Sequence, residues 1–335
     1  MAAALPALIY YFILFAQVDF MAKDNNLKGL SRSELPRFSL LLRTRGLHLI
    51  PIFLLIFLMF GIGLQPAKSA IISGFSAYFF GLIMRESKLN KESLSAFMNS
   101  VSQTMIPIIL IGGAAGIIVG VLNITGLGFN LTLGLTEIGK NYGLISMLIL
   151  TGMVAIILGM GMPTAAVYIV LSVVLAPAVI EMGIPVLAAH LFIFYFGLLS
   201  MITPPVAVAS FVAAGIADAS MWKTSFTAMK LGIAAYLLPF LFVFNDSLLF
   251  KGTWIEILYI SLTCLVSGLI LSHVLRVNLK SGVRQILSNF FYLMCSILIG
   301  TSTLWLGRDS NIIILVLFFG ILLFYRANKN EKLDG

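Results

Sequence analysis

Leu158-Gly159-Met160-Gly161-Met162-Pro163-Thr164 lies in the middle of residues 143–182, a segment apolar almost from end to end. A helix running straight through it would have to hold two glycines, which readily take non-helical angles, and a proline, which lacks a backbone donor and clashes with the turn before it. Two half-helices that meet at this tip and double back resolve the conflict. An unbroken crossing is the rival reading. The two readings place every later loop on opposite sides of a membrane, so the charges decide between them.

With 143–182 folded as a re-entrant hairpin, the loops 21–46, 85–99, 215–225 and 274–285 and the tail from Arg326 all share one side. Counting Lys230 with the loop before it, only Lys68, Lys140, Lys251 and Arg308 of the 21 Lys and Arg then fall on the other. Cytoplasmic loops collect Lys and Arg. The basic side and the C-terminus are therefore expected in the cytoplasm, with the hairpin entering from the outer side. An unbroken crossing would split the basic residues between both faces.

The chain has 335 residues, of which 60% are hydrophobic and 10% charged, against about 25% charged in soluble domains. So few charges cannot clothe a surface in water, which excludes a soluble enzyme, a disordered chain and a secreted disulfide scaffold. The net charge of +8 would suit a nucleic acid, but the basic residues sit in short clusters between apolar runs, with no aromatic-studded stripe. The expected partner is the lipid bilayer and no nucleic acid. Apolar runs predict about nine spans, near 2–20, 47–64, 68–84, 103–123, 188–214, 226–244, 253–273, 286–306 and 311–325, and hence an all-α polytopic membrane protein. Residues 126–143 read as an outer connector. Cys264 and Cys295 each lie inside an apolar run and read as small hydrophobes. The first span begins at Met1 on the outer side, with no signal peptide or flanking charge to carry it there, so the chain reads as starting in the middle of something.

A second interruption occurs at Ser200-Met201-Ile202-Thr203-Pro204-Pro205-Val206, inside the span that starts near His190. Two adjacent prolines cannot both occupy a helix interior. Breaks at membrane depth are tolerated only where protein or a watery cavity meets the freed backbone groups. The carbonyls so released, with the Thr164, Ser200 and Thr203 hydroxyls, are hard oxygen ligands suited to a small cation, and half-helix N-termini suit a carboxylate. A sodium ion is expected against the carbonyls of Gly159, Met160, Met162, Ser200, Ile202 and Thr203, and a substrate against Gly161, Pro163, Thr164, Thr203, Pro204 and Pro205. A pair of packing kinks without any ligand is the plainer alternative. Gly112, Gly116 and Gly120 make a small-residue groove that lets another helix approach. Asp19, Asp218, Lys223 and Lys230 fall at span ends, and His190 reads as structural. No phosphate-binding glycine loop or His-Glu-x-x-His helix occurs, and the three histidines lie in separate segments, so no catalytic residues and no bound cofactor are expected.

The run Leu158-Gly-Met-Gly-Met-Pro-Thr-Ala-Ala-Val-Tyr-Ile-Val, followed by Ala189-His-Leu-Phe-Ile-Phe-Tyr-Phe-Gly-Leu-Leu-Ser-Met-Ile-Thr-Pro-Pro-Val, resembles the large membrane subunit of tripartite ATP-independent periplasmic (TRAP) transporters. More narrowly it is similar to the fused permeases of the TAXI branch. The opening Ala4-Leu-Pro-Ala-Leu-Ile-Tyr-Tyr-Phe, Gln17-Val-Asp-Phe, the Gly113-Ala-Ala-Gly-Ile-Ile-Val-Gly-Val run and Thr125-Gly-Leu-Gly fit the same pattern. The resemblance covers about residues 1–245. It implies a sodium-coupled symporter of the bacterial inner membrane that moves an organic acid, of the C4-dicarboxylate kind, inward by an elevator motion. A periplasmic solute-binding protein delivers the acid. The transport domain of such proteins has two inverted repeats, each with a hairpin and a broken helix, and only the second is recognisable here. On this reading residues 1–102 are spans and basic loops, 103–245 the second repeat and 246–335 a three-span extension. The chain is then a truncated or split portion, with the first repeat and the small-subunit helices supplied from elsewhere, such as an adjacent reading frame. A non-transporting membrane module or remnant, and a different hairpin-containing ion-coupled transporter, remain the alternatives.

Overall fold

The structure is a computed structural model and describes residues 2–27, 46–83 and 91–275, with positions 29, 31, 39, 40 and 42 between the first two stretches. All the regular structure among them is helical. The helices are α1 (Ala4–Asp24), α2 (Ile50–Ile56), α3 (Pro66–Ile83), α4 (Lys91–Thr125), α5 (Leu127–Tyr142), α6 (Leu144–Gly159), α7 (Thr164–Val174), α8 (Ala176–Glu181), α9 (Val186–Leu199), α10 (Val208–Ile216), α11 (Met221–Leu231), α12 (Ile233–Phe244) and α13 (Trp254–Leu275). The chain divides into two compact units, one formed by Met1–Leu27 with Ile111–Gly335 and the other by Lys28–Leu110.

In the smaller unit α2 is a short helix between a 3-10 turn, Gly46–Leu49, and a π turn, Phe57–Gly61, and it packs on α3. In the larger unit α1 buries one stripe, Pro6, Ile9, Ile13 and Gln17, at the three- and four-residue spacing of a helix face. That stripe packs on α13 and α12. Gly268 of α13 makes room for the Ile13 side chain, which would collide with any Cβ there. The start of α13 is fixed by a reciprocal cap: the Thr253 backbone N–H donates to Glu256 Oε2 at 2.9 Å and the Glu256 N–H to Thr253 Oγ1 at 3.4 Å. Deep in the core, Phe192 and Phe196 of α9 meet Phe240 of α12 edge-on, with ring centroids 5.4 and 5.7 Å apart.

Three helical stretches are each long and apolar enough to cross a membrane, Ala4–Asp24, Met221–Phe244 and Trp254–Ser272. A fourth results if Gly116–Leu122 and Leu127–Tyr142, bent by 68°, are taken as one span. The expected span 188–214 is two pieces, α9 and α10, and the expected span at 47–64 is a short apolar helical run, Gly46–Gly61. The expected spans at 286–306 and 311–325 lie outside the described residues, as does Cys295. The outer surface carries Phe15, Phe75, Ile117 and Ile124 at 73%, 72%, 71% and 89% exposure, and side chains of this kind need an apolar surrounding.

One sequence expectation is corrected. Residues 126–143 are no loop connector: Leu127–Tyr142 is a helix whose buried face is Thr132, Leu135, Thr136 and Gly139. The threonines fit there because each hydroxyl bonds back within the helix, Thr132 to the Gly128 carbonyl and Thr136 to that of Thr132. Along α4, the positions where Gly116 and Gly120 would carry a Cβ have nothing within 4 Å among the described residues.

Candidate functional site: a hairpin tip against a broken helix

Residues 143–182 double back. The outward limb is α6, and the return is α7 with α8, bent at Leu175 where Pro177 opens α8. The two ends of the segment lie together. Glu181 Oε1 is 3.9 Å from Lys140 Nζ on α5, and a Cβ on Gly139 would sit 2.8 Å from Met182 Cε and 3.4 Å from Met147 Sδ. A helix of α6's length rises about 24 Å, so ends this close require the reversal at the tip.

The tip itself is four residues. α6 stops at Gly159, Met160 turns extended, Gly161 takes φ +77° and Pro163, at φ −69° and ψ 155°, leads into α7. A side chain at Gly161 would strain the backbone, since L-residues avoid that region. Only two weak bonds tie the turn, Met160 N–H to the Ile157 carbonyl at 3.3 Å and Met162 N–H to that of Gly159 at 3.4 Å.

Helix α9 packs on both limbs, and glycines make the approach possible. A Cβ on Gly152 would lie 2.9 Å from the Phe196 ring, and one on Gly197 would lie 2.5 Å from Val167 Cγ1 and 2.8 Å from Leu171 Cδ1. A Cβ on Gly159 would meet Ser200 Oγ at 2.9 Å and the Gly197 carbonyl at 3.0 Å. The end of α6 therefore rests directly on the place where α9 breaks off.

That break runs from Ser200 to Ala207. Pro204-Pro205 is cis, Ala207 has φ +34°, and Ala209 N–H donates across the gap to the Met201 carbonyl at 3.0 Å. The Ser200 hydroxyl donates to the Gly197 carbonyl at 2.6 Å. Thr203 Oγ1 donates to the Leu199 carbonyl at 2.6 Å and lies 2.6 Å from the Tyr236 hydroxyl of α12. Ile202 rests on Gly232, the joint of α11 and α12, where a Cβ would be 2.9 Å from Ile202 Cδ1. On the other side of the break Val206 Cγ1 is 3.9 Å from the Cβ position of Gly161.

The two interruptions picked out in the sequence thus meet in space. Gly159 and Gly161 of the tip lie against Ser200 and Val206 of the break. Among the described residues, the carbonyls of Met160, Met162, Ser200, Ile202 and Thr203 accept no backbone hydrogen bond, whereas that of Gly159 takes the Met162 N–H. The hydroxyls differ in their commitments. Those of Ser200 and Thr203 are already donating, and Thr164 is exposed, as are Gly161 and Pro205. Pro163 and Pro204 shape the two turns and are partly buried.

Sequence reasoning missed Gly197, Gly232 and Tyr236. Gly197 was legible in principle, as a glycine inside a helix with no turn to make. Tyr236 was too, because a hydroxyl in an apolar span needs a partner. The buried hydroxyls Thr151 Oγ1 of α6 and Ser210 Oγ of α10 have no hydrogen-bond partner among the described residues. His190 is bonded through Nδ1 to the Tyr168 hydroxyl at 3.0 Å, joining α9 to the return limb, and Cys264 is buried in the core. No cluster of three His, Cys, Asp or Glu occurs among the described residues.

Neither the curated proteins nor the solved structures yielded a match. A family model, that of the DctM component of tripartite ATP-independent periplasmic transporters, matches residues 1–274. Well over half of the chain, both interrupted elements included, is thereby accounted for, and the chain belongs to this family of large membrane components of TRAP transporters, which are transporters and not enzymes.

Proposed function

We propose that the chain forms the ion- and substrate-binding half of a sodium-coupled permease that imports an organic acid, of the C4-dicarboxylate kind, across the bacterial inner membrane. The observation that carries this reading is the meeting of the hairpin tip with the helix break, two segments in which the carbonyls of Met160, Met162, Ser200, Ile202 and Thr203 accept no backbone hydrogen bond among the described residues. A hard cation takes about six oxygens and needs no carboxylate among them. The candidate ligands are the carbonyls of Met160, Met162, Ser200, Ile202 and Thr203, with that of Gly159 able to join by giving up its 3.4 Å bond. No acid lies in the tip or the break, so the neutralising charge comes from the substrate anion, bound beside Gly161, Pro163, Thr164, Thr203, Pro204 and Pro205. That arrangement couples ion and substrate directly.

Gly161, Thr164 and Pro205 are exposed, so the site has an open side that a second wall must close before an ion can lose its water. We take that wall to be a first inverted repeat which, with the small-subunit helices, is supplied by chain outside these residues, such as an adjacent reading frame. A periplasmic binding protein delivers the solute. The hairpin enters from the outer side, and the C-terminus is cytoplasmic.

Proteoliposomes holding this chain and the binding protein alone should show no uptake. Adding the matching first repeat and small-subunit helices should produce uptake driven by an imposed sodium gradient. In that complex Thr203→Val should raise the sodium concentration for half-maximal uptake several-fold, and Gly161→Val should do so more strongly. Sodium-driven uptake by the chain and binding protein alone would overturn the missing wall. A sodium midpoint unmoved by both variants would overturn the cation site.

A further inference from the structure

We infer that Tyr236, on α12 and outside both interrupted elements, is a positioning residue that fixes the helix break by donating its phenolic proton to Thr203. The inference rests on the reading of the break as a binding site and adds the group that holds it in shape.

The direction of the bond follows from proton counting. Thr203 Oγ1 is 2.6 Å from the Leu199 carbonyl, which can only accept, so the one hydroxyl proton of Thr203 is committed there. The 2.6 Å contact between Thr203 Oγ1 and the Tyr236 hydroxyl must then be a donation from tyrosine to threonine. The chain of donors runs from Tyr236 to Thr203 to Leu199. At its end the Leu199 carbonyl also receives the Ile202 and Thr203 N–H groups, each at 3.1 Å. Three bonds converge on one oxygen at the last turn of α9, and the segment that follows leaves in a fixed direction.

A break held only by its own turn would be free to re-form. Among the described residues the regular helical bonds of α9 end with Thr203 N–H to the Leu199 carbonyl, and one tie, Ala209 N–H to the Met201 carbonyl, spans the gap that follows. Tyr236 supplies a second anchor from a different helix. Its ring is set by an edge-on contact with Phe196, centroids 6.5 Å apart, and Phe196 itself packs on Gly152 of the hairpin. One turn before Tyr236, Gly232 receives Ile202. Both contacts from α12 thus fall on the break, at Ile202 and Thr203, two of the residues whose carbonyls are free. Thr203 keeps one lone pair after accepting from Tyr236 and donating to Leu199, and the orientation of that lone pair is set by Tyr236.

The test uses the full chain in detergent micelles, with Cys264→Ala and Cys295→Ala as background and a reporter cysteine at Val206. Tyr236→Phe removes one hydroxyl and keeps the ring. Maleimide labelling at position 206 should accelerate about fivefold, the size of one net hydrogen bond, and Thr203→Val, which also deletes the bond to the Leu199 carbonyl, should accelerate it at least as much. Adding Tyr236→Phe to Thr203→Val should give no further increase, because the bond from Tyr236 is already gone, and Thr203→Ser should keep the slow rate. A second reporter at Ile216, beyond the break on α10, should be unaffected. An unchanged rate in Tyr236→Phe, or an equal rise at Ile216, would overturn the inference, as would independent multiplication in the double variant. In the complete transport complex Tyr236→Phe should shift the sodium midpoint by a similar factor. A complex without sodium dependence would sink the proposed function instead, and the labelling rates would still judge the role of Tyr236.

Discussion

Two sets of glycines in this chain look alike in sequence and behave differently in space. Gly112, Gly116 and Gly120 repeat every four residues along α4, and among the described residues nothing lies within 4 Å of where Gly116 or Gly120 would carry a Cβ. Gly152, Gly159 and Gly197 have no shared spacing and sit on two helices, yet each is filled by a neighbour at 3.0 Å or less. Spacing on one helix describes a surface that permits close approach. Whether anything approaches is a property of the other helix, and no pattern on the first reveals it.

The contrast is sharpest under alanine. Gly197→Ala would force a methyl into Val167 Cγ1 and Leu171 Cδ1, and Gly159→Ala would press on the backbone carbonyl of Gly197. Val167 Cγ1 sits on a stiff β-branched side chain and the Gly197 carbonyl is backbone, so neither gives way easily. Overpacking of this kind costs about 1–3 kcal/mol, and it separates α9 from the hairpin at the site itself. Thermal unfolding of purified chain should show a clear fall for both. Gly116→Ala and Gly120→Ala should leave stability unchanged or raise it by under about 1 kcal/mol through helix propensity. A fall at Gly116 as large as that at Gly197 would mean that the groove is occupied in the folded protein.

The hairpin and the break were legible because both violate a local rule strongly: a Gly-x-Gly-x-Pro tip inside an apolar run and a Pro-Pro pair inside a span. That the tip would land on the break followed only from asking one cation to satisfy both sets of freed carbonyls, since the contact joins residues 159 and 161 to the distant 200 and 206. The free carbonyls could be foreseen as a class. Which hydroxyls were already committed could not, because Thr203 answers to Leu199 on its own helix and Tyr236 on another. The helix at Leu127–Tyr142 gives a weak sequence signal because its buried face is two threonines and a glycine with a single leucine, Leu135.

The doubling back makes a smaller prediction about sides. Asn141 and Gly183 flank the hairpin, and their neighbours Lys140 and Glu181 are 3.9 Å apart. Cysteines placed at 141 and 183, in the same cysteine-free background, should both be labelled by an impermeant reagent added outside intact cells. Labelling of one without the other would show that the segment crosses, and it would detach the tip from the compact packing that sets it apart from α4.

The smallest effect belongs to that ion pair itself. Lys140 and Glu181 close the base of the hairpin, with side chains 67% and 47% exposed. At 3.9 Å and with this much water the attraction is screened, and exposed pairs of this kind contribute about 0–1 kcal/mol. Lys140→Gln and Glu181→Gln should each lower thermal stability only slightly, and the double variant should match the singles. Added salt should erase the difference from the unaltered chain. The base is held chiefly by Met182 and Met147 against Gly139, where the flexible thioether ends can give way, so Gly139→Ala should also be mild. Both results would place the rigidity of the hairpin at its tip and along α9. A large loss from either charge variant would place it at the base, and Gly197 would then cease to be the position on which the packing turns.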